Sequence, residues 1–381
     1  LNHFQKWWGT PQKLTSRVLN RQISWLELFS DLAYVVMLHS LIISYAPHYP
    51  TTGIWKFALF FMLVFYIWYN FMTYFDLHGD RNARTTVITL AQLVAVLALT
   101  TRFPLVFKGQ LQGFIAIYLF VQILMLYVWM LVVHIDPDHL QSSWVYFVIE
   151  WADFFILIAA LWVANPQLKL DLLIFVIFAK YCILPIDSPE MTAEMNRRHL
   201  PIVASESSEE RFGQFAMILF GEAIALVTEP LMGQSSWHAI LVFAVFMLNI
   251  ILLWWLYYAF MNDVTVSAQH FLVIEAFHLL NVLFTLALAM MLLFMYLLLE
   301  EPTQPELLGY TVFMDLTVVL VFIMKDYEMR RFKTTTTIES ILLMLVSLLA
   351  FKLPYLGMIG LLNLVLIGII FMKERQQVLA Q

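Results

Sequence analysis

Glu27 and Asp31 stand one helical turn apart inside "ISWLELFSDLAYVVMLHSLIISY" (Ile23–Tyr45), a run that is otherwise mostly apolar. Residues at i and i+4 share one helix face. An acidic group at the centre of a membrane helix costs roughly 2.5–3.5 kcal/mol on insertion scales. Such a group persists where it binds a proton or cation, or where a fixed cation neutralises it. The pattern recurs: Glu150 with Asp153, Glu222, Glu275 with His278, and Asp315 all lie in apolar runs. Two cations share that interior, Lys180 and Arg211. They are the expected partners, and acids outnumber them.

Spacing sharpens the picture. Glu27, Ser30, Asp31 and Tyr34 share a face, as do Thr85, Thr89 and Gln92, and Glu275, His278, Asn281 and Thr285. A polar stripe facing lipid is unfavourable, so these faces should look inward. At 1.5 Å per residue Asp31 lies about 10 Å inside the interface, whereas Glu27 lies close to it. There Glu27 can cap its helix N-terminus, where negative charge is favoured. Asp31, Glu222, Glu275, His278 and Asp153 are therefore candidates for transport or for ion or proton binding. Glu27, Glu150, Glu210 and Arg211 are candidates for structural or interface roles. No catalytic set is expected: the chain has no His-Glu-x-x-His and no Gly-x-Ser-x-Gly. Glu222, His270, Glu275 and His278 leave a metal site open. No organic cofactor is expected.

The elements that must carry these residues are membrane helices. The 381 residues are 62% hydrophobic and only 13% charged, too few charges for a soluble surface. Apolar runs near twenty residues recur, each able to cross a bilayer. The fold class is all-α and polytopic, with about twelve helices near 24–45, 54–75, 83–103, 111–134, 143–164, 168–186, 210–229, 237–261, 269–299, 306–325, 337–352 and 355–373. The partner is the lipid bilayer, with a small ion or solute as cargo; a homodimer is compatible with the sequence. The net charge of −6 and the lack of a basic block point away from nucleic acid. The lone Cys182 allows no intrachain disulfide. No cleavable signal is expected, because the first thirty residues lack a short apolar core with a small-residue cleavage site. The Trp/Tyr-rich stretches "YIWYNF" and "LLWWLYY" read as interfacial belts.

Lys and Arg set the orientation. With the N-terminus inside, the cytoplasmic side takes Lys6, Lys13, Arg17, Arg21, Arg81, Arg84, Arg197, Arg198, Arg211, Lys325, Arg330, Arg331, Lys333, Lys373 and Arg375. The outer side takes only Lys56, Arg102, Lys108, Lys169 and Lys352. The two halves also echo each other. "ELFSDLAYVV" sets beside "ERFGQFAMIL", "WYNFMTYFD" beside "WLYYAFMND", "RTTVITLAQLVAV" beside "HFLVIEAFHLLNV", and "EWADFFILIAAL" beside "ESILLMLVSLLA". Their order is kept and their offset is nearly constant. The expected organisation is a cytoplasmic segment 1–23, a first six-helix repeat 24–186, a cytoplasmic linker 187–209, a second repeat 210–373 and a cytoplasmic tail 374–381. An even number of helices per repeat makes the copies parallel, with a polar cavity between them onto which Asp31, Glu222, Glu275 and His278 converge.

"WLELFSDLAYVV" resembles the "ELFFDLVFV" opening of the bacterial low-temperature-requirement A family. "ERFGQFAMILFGEAIALV" is similar to that family's "ERFGLFTIIVLGE" segment. The "WWLYY" run and the "YFD" end of the second span fit as well, so the resemblance covers nearly the whole chain. Ser30 stands where the family usually has Phe. The resemblance implies a multi-pass protein of the cell membrane tied by name to growth in the cold, with no fixed reaction or substrate. Its signature positions here are Glu27, Phe29, Asp31, Glu210, Arg211, Phe212, Gly213, Gly221 and Glu222. "FSD" (Phe29–Asp31) is also similar to the Arg-x-x-x-Phe-Ser-Asp of potassium channels built from six-helix repeats, with Trp25 in the Arg position.

Three functions fit this reading. One is a transporter or channel for protons, cations or a small solute along an acid-lined centre. Another is a membrane-embedded sensor, assembly or stress-adaptation protein, and the third a metal-dependent intramembrane enzyme. The charge bias makes one topological prediction. A reporter fused after Gln381 should lie in the cytoplasm of the cell, and a reporter found outside would overturn the span parity.

Overall fold

The computed structural model describes residues 7–15, 22–182, 184–261, 265–328, 334–350 and 352–380. Six cations used above for orientation, Lys6, Arg17, Arg21, Arg330, Arg331 and Lys333, lie outside these residues, as do Asn262 and Asp263 of the repeat match.

The described residues are mostly helical, with one isolated antiparallel bridge between Val203 and Ser267. The main helices are α1 (Trp25–Tyr45), α2 (Trp55–His78), α3 (Ala83–Thr100), α4 (Gln112–Ile135), α5 (Trp144–Trp162), α6 (Pro166–Cys182), α7 (Leu184–Arg197), α8 (Glu206–Thr228), α9 (Trp237–Met261), α10 (Phe271–Glu300), α11 (Gln304–Glu328), α12 (Thr334–Ala350) and α13 (Tyr355–Ala380). Among the described residues ten helices are long and apolar enough to cross a membrane, fewer than the twelve expected from sequence. The two that fall short are α6 and α12, each of 17 residues. Lys169, Asp171 and Lys180 interrupt the apolar run of α6, and a run of four threonines, Thr334–Thr337, opens α12.

The 187–209 stretch, expected as a linker, contains a helix. Met191 and Met195 recur at i and i+4 on α7, and both are buried. This is helical periodicity in a polar stretch. The helix ends at Arg197, and His199 beyond it has a left-handed backbone (φ 55°) that lets the Leu200 amide reach back to the Met195 carbonyl at 2.9 Å. The chain then runs beside 266–268, with Ala204 N–H donating to Val266 O and Ala268 N–H to Ile202 O, both at 2.8 Å.

The chain forms two compact units. The first comprises Leu1–Phe212 and Val266–Ala276. Its centre is α2, which packs against α1, α4 and α6. In its most apolar window α2 is 83% buried, as expected of a helix that is hydrophobic all round. Around it α1 packs on α3, α3 on α4, α4 on α5 and α5 on α6. Helix α1 starts in a capping box: Ser24 Oγ accepts from Glu27 N–H while Glu27 Oε1 accepts from Ser24 N–H at 3.0 Å. Helix α3 is capped by Asn82, whose Oδ1 accepts from Thr85 N–H at 3.0 Å.

One end of this unit is tied by residues 10–14. Gln12 O accepts from His78 Nδ1 (2.8 Å), and Leu14 N–H donates to Asp136 Oδ2 (3.3 Å). Arg198 donates to both Asp136 oxygens and to Leu14 O, and also pairs with Glu194 at 2.7 Å. Burial works against the Asp136 and Glu194 charges, but Arg198 and, for Glu194, His139 hold both carboxyls below their usual values.

The second unit comprises Gly213–Thr265 and Phe277–Gln381. Here α9 packs on α11 and α13, and α12 packs on the same two helices. Amides and hydroxyls join them. Asn249 Nδ2 donates to Asn363 Oδ1 and Tyr310 Oη donates to Asn249 Oδ1, both at 2.7 Å, while Ser347 Oγ donates to Asp315 Oδ1 at 3.0 Å.

Asp187, on α7, gives a pH prediction. Burial raises its carboxyl from the usual 3.8 to about 7; Glu190 and Glu194 add to the rise, and His139 opposes it. A raised carboxyl stabilises the fold while protonated. That contribution is complete below the ordinary value and is lost as pH rises through about 7. Asp187→Asn should therefore unfold at a higher temperature than wild type in alkaline buffer. The gain should be on the order of 1 kcal/mol, allowing for solvent screening. No gain should appear in acid, and a shift of equal size at both pH values would overturn this reading.

Candidate functional site

Arg211 organises the first charged cluster. It lies one turn into α8 and is 2% exposed. Its Nη1 donates to Glu27 Oε2 at 2.8 Å and its Nη2 to Asp31 Oδ1 at 2.7 Å. The planar guanidinium suits this task, because its fork addresses two carboxyls one helical turn apart. Trp68 of α2 completes the pocket. Its indole Nε1 donates to Asp31 Oδ1 at 2.9 Å, and the guanidinium carbon lies 5.5 Å from its ring centroid. Phe212 packs edge-on against the same indole at 5.5 Å. Nearby, Gln92 Nε2 donates to Tyr34 Oη at 2.5 Å, which links α3 to α1. Asp31 Oδ2 is buried and accepts no hydrogen bond. The start of α8 is itself held by Ser205 and Ser207, whose hydroxyls donate to Asp76 at the end of α2.

Lys180 organises the second cluster. Its Nζ lies 3.0 Å from Glu150 Oε2, 3.2 Å from Asp153 Oδ2 and 3.3 Å from Gln122 Oε1. The Tyr66 ring closes the remaining side, 4.4 Å from the ammonium. Glu150 is densely bonded: Tyr66 Oη donates to Oε1 at 2.6 Å and Gln122 Nε2 to Oε2 at 2.6 Å. Asp153 differs: it is 0% exposed, and beyond the Lys180 ammonium neither of its oxygens has a hydrogen-bond donor.

The two cations singled out in the sequence are thus the ones these acids meet. The remaining candidates divide between the units. Glu275 belongs to the first unit, at the start of α10, and is buried. Glu222 (2% exposed) and the half-buried His278 belong to the second. Glu210 is exposed. The stripe residues Thr85, Thr89, Gln92, Asn281 and Thr285 are all buried. Among the described residues no group of three or more His, Cys, Asp or Glu side chains is placed to hold a metal ion.

Sequence reasoning missed Trp68, Tyr66 and Gln122. The "YIWYNF" stretch was expected at the membrane interface, yet Tyr66, Trp68 and Asn70 are buried, 3%, 1% and 3% exposed. The contrary signal was present. Asn70 and Asp76 sit in the same aromatic run, and a helix with no polar face belongs inside a bundle. "LLWWLYY" is mixed: Trp254 and Trp255 are exposed, whereas Tyr257 is buried and stacks on Phe284 at 4.7 Å.

Residues 22–372 match the family model described as Bacterial low temperature requirement A protein (LtrA). No match was found among curated proteins or among solved structures.

Removing one partner of a buried ion pair typically costs 3–5 kcal/mol, because the other charge stays buried. Arg211→Gln should lower unfolding stability by about that much, since it strands both Glu27 and Asp31. Arg211→Lys should recover only part, because an ammonium cannot reproduce the fork. Trp68→Phe, which removes one donor from Asp31, should cost about 1–3 kcal/mol. Thermal unfolding of the purified variants reads all three. A stable Arg211→Gln protein would show that the clamp does not hold the fold.

Proposed function

The chain belongs to the bacterial low temperature requirement A family, and on that premise we propose that it is a membrane transporter or channel moving protons, cations or a small solute along an acid-lined interior. One observation carries this reading. In each cluster of the first unit a single embedded cation is shared by two carboxyls: Arg211 by Glu27 and Asp31, Lys180 by Glu150 and Asp153. Each cluster holds one acid more than its fixed cation neutralises. A proton or monovalent cation is the smallest species that restores balance, and intramembrane acids of this kind mark ion pathways and proton relays. Asp31, Asp153, Glu222, Glu275 and His278 are the residues assigned to the pathway. Glu27, Glu150 and Arg211 hold its frame. We assign it to the cytoplasmic membrane with both termini inside, an arrangement compatible with a homodimer.

We further propose that residues 24–186 and 210–373 are two parallel six-helix repeats. The pairings within each unit support this. The second unit's α9–α11, α9–α13, α11–α12 and α12–α13 contacts have counterparts in the first unit's α2–α4, α2–α6, α4–α5 and α5–α6 contacts.

A second reading, that of a sensor or assembly protein without transport, is favoured by a different observation. Glu27 is held by its own capping box as well as by Arg211, and Asp31 by both Arg211 and Trp68. Such a network can also serve as pure scaffold.

Purified protein in liposomes separates the two. Proton and monovalent-cation fluxes are measured with and without an imposed gradient. Transport predicts flux above that of empty liposomes, reduced at least about tenfold, equivalent to 1.4 kcal/mol, by Asp31→Asn and Glu222→Gln, with insertion preserved. Absence of flux in all cases overturns transport and leaves the scaffold reading.

A further inference from the structure

The two carboxyls beside Lys180 are chemically unequal, and the inequality singles out one of them. Glu150 receives O–H from Tyr66, N–H from Gln122 and N–H from Lys180. Together these three donors occupy both Glu150 oxygens. A proton on Glu150 would have to share these crowded oxygens with the donors already there, and any donor it displaced would be left as an unsatisfied buried group. Asp153 has no such obligations. It faces Lys180, whose ammonium lies 3.2 Å from Oδ2, lies one turn from Glu150 on the same helix, has no other hydrogen-bond donor at either oxygen and is completely buried. A proton on Asp153 displaces no donor and weakens only one ion pair.

We propose that Asp153 is the proton-binding carboxyl of this cluster and Lys180 its fixed counter-ion. The ligand at this site is a hydron. When bound, the cluster holds a neutral Asp153 acid, the Glu150 carboxylate and the Lys180 ammonium, with no net charge. On release the Asp153 O–H bond breaks, the electron pair stays on the carboxylate, and the proton leaves to water or to the next carrier. The cluster is then left with one negative charge in a low-dielectric surrounding. Lys180 makes that state attainable: its ammonium already lies within ion-pair reach of both carboxylates and is shielded by the Tyr66 ring. Gln122 keeps the geometry fixed from α4, with its amide nitrogen on Glu150 and its oxygen towards the ammonium. Two carboxyls in unlike environments thereby take two roles, one holding the hydrogen-bonded frame and the other carrying the proton.

The use of this proton for transport rests on the reading above, but its binding does not, and the test keeps them apart. Infrared difference spectra of the purified protein, recorded between acid and alkaline buffer, report carboxylic-acid C=O groups that gain or lose a proton. Wild type should show a protonated-carboxyl band that disappears in Asp153→Asn and remains in Glu150→Gln. Titration of unbuffered protein should show one proton fewer released per chain in Asp153→Asn. If the substituted proteins do not fold, isotope labelling of wild type serves instead. The band must move on ¹³C-labelling of aspartate carboxyls and stay on labelling of glutamate. A band that follows Glu150, or moves only with glutamate label, overturns the assignment, as does equal proton release from wild type and Asp153→Asn. Proton flux in liposomes is read in parallel. A proton bound at Asp153 without any flux in wild type upholds the site and overturns the transport reading alone.

Discussion

A carboxylate inside a bilayer has no water to solvate it, and this one constraint arranges the first unit. Two acids on α1 need a cation. The chain supplies it from α8 as an arginine, whose fork engages Glu27 and Asp31 together. That requirement fixes the rotation of α1, sets how α8 enters and brings the Trp68 indole of α2 to face Asp31. Buried ion pairs of this kind add little net stability over an apolar equivalent, since desolvation offsets most of the Coulomb gain. What they supply is register. A one-residue rotation of α1 would turn both carboxyls away from the guanidinium, while the capping box at Ser24 fixes where the helix begins.

The second unit solves its packing differently. Asn249, Asn363 and Tyr310 join α9, α13 and α11 through neutral groups. Hydrogen bonds between membrane helices average only about 0.6 kcal/mol, but unlike charges they carry no desolvation burden of several kcal/mol. The difference matches where charge is concentrated. The first unit holds Arg211 and Lys180 with their paired acids, whereas in the second Asp315 is tied to the neutral Ser347.

Much of this was legible in the sequence. Helix limits follow from apolar run length and from breakers, so α1, α2, α9 and α10 fall within a few residues of where the runs place them. Lys180 and Arg211 were identifiable as partners because Lys180 falls within an apolar run and Arg211 at the start of one. Trp68 was harder. An aromatic beside a membrane end reads as an interfacial anchor, and only three-dimensional packing shows that its N–H points at a carboxylate. Helix α7 escaped because its charged and proline-containing sequence hides a two-methionine stripe. The division of the candidate acids between two compact units was not legible at all, because it depends on which helices touch and not on what any one of them contains.

The Arg211 clamp also bears on how the protein is made. Glu27 and Asp31 are separated from their arginine by 184 and 180 residues of chain. At ordinary synthesis rates of 5–20 residues per second, α1 leaves the ribosome roughly 10–40 s before its counter-charge exists. During that interval its two carboxyls lack their cation, although the Trp68 indole follows only 37 residues after Asp31. Helix α1 can therefore reach its final, charge-paired seat only once α8 has been made.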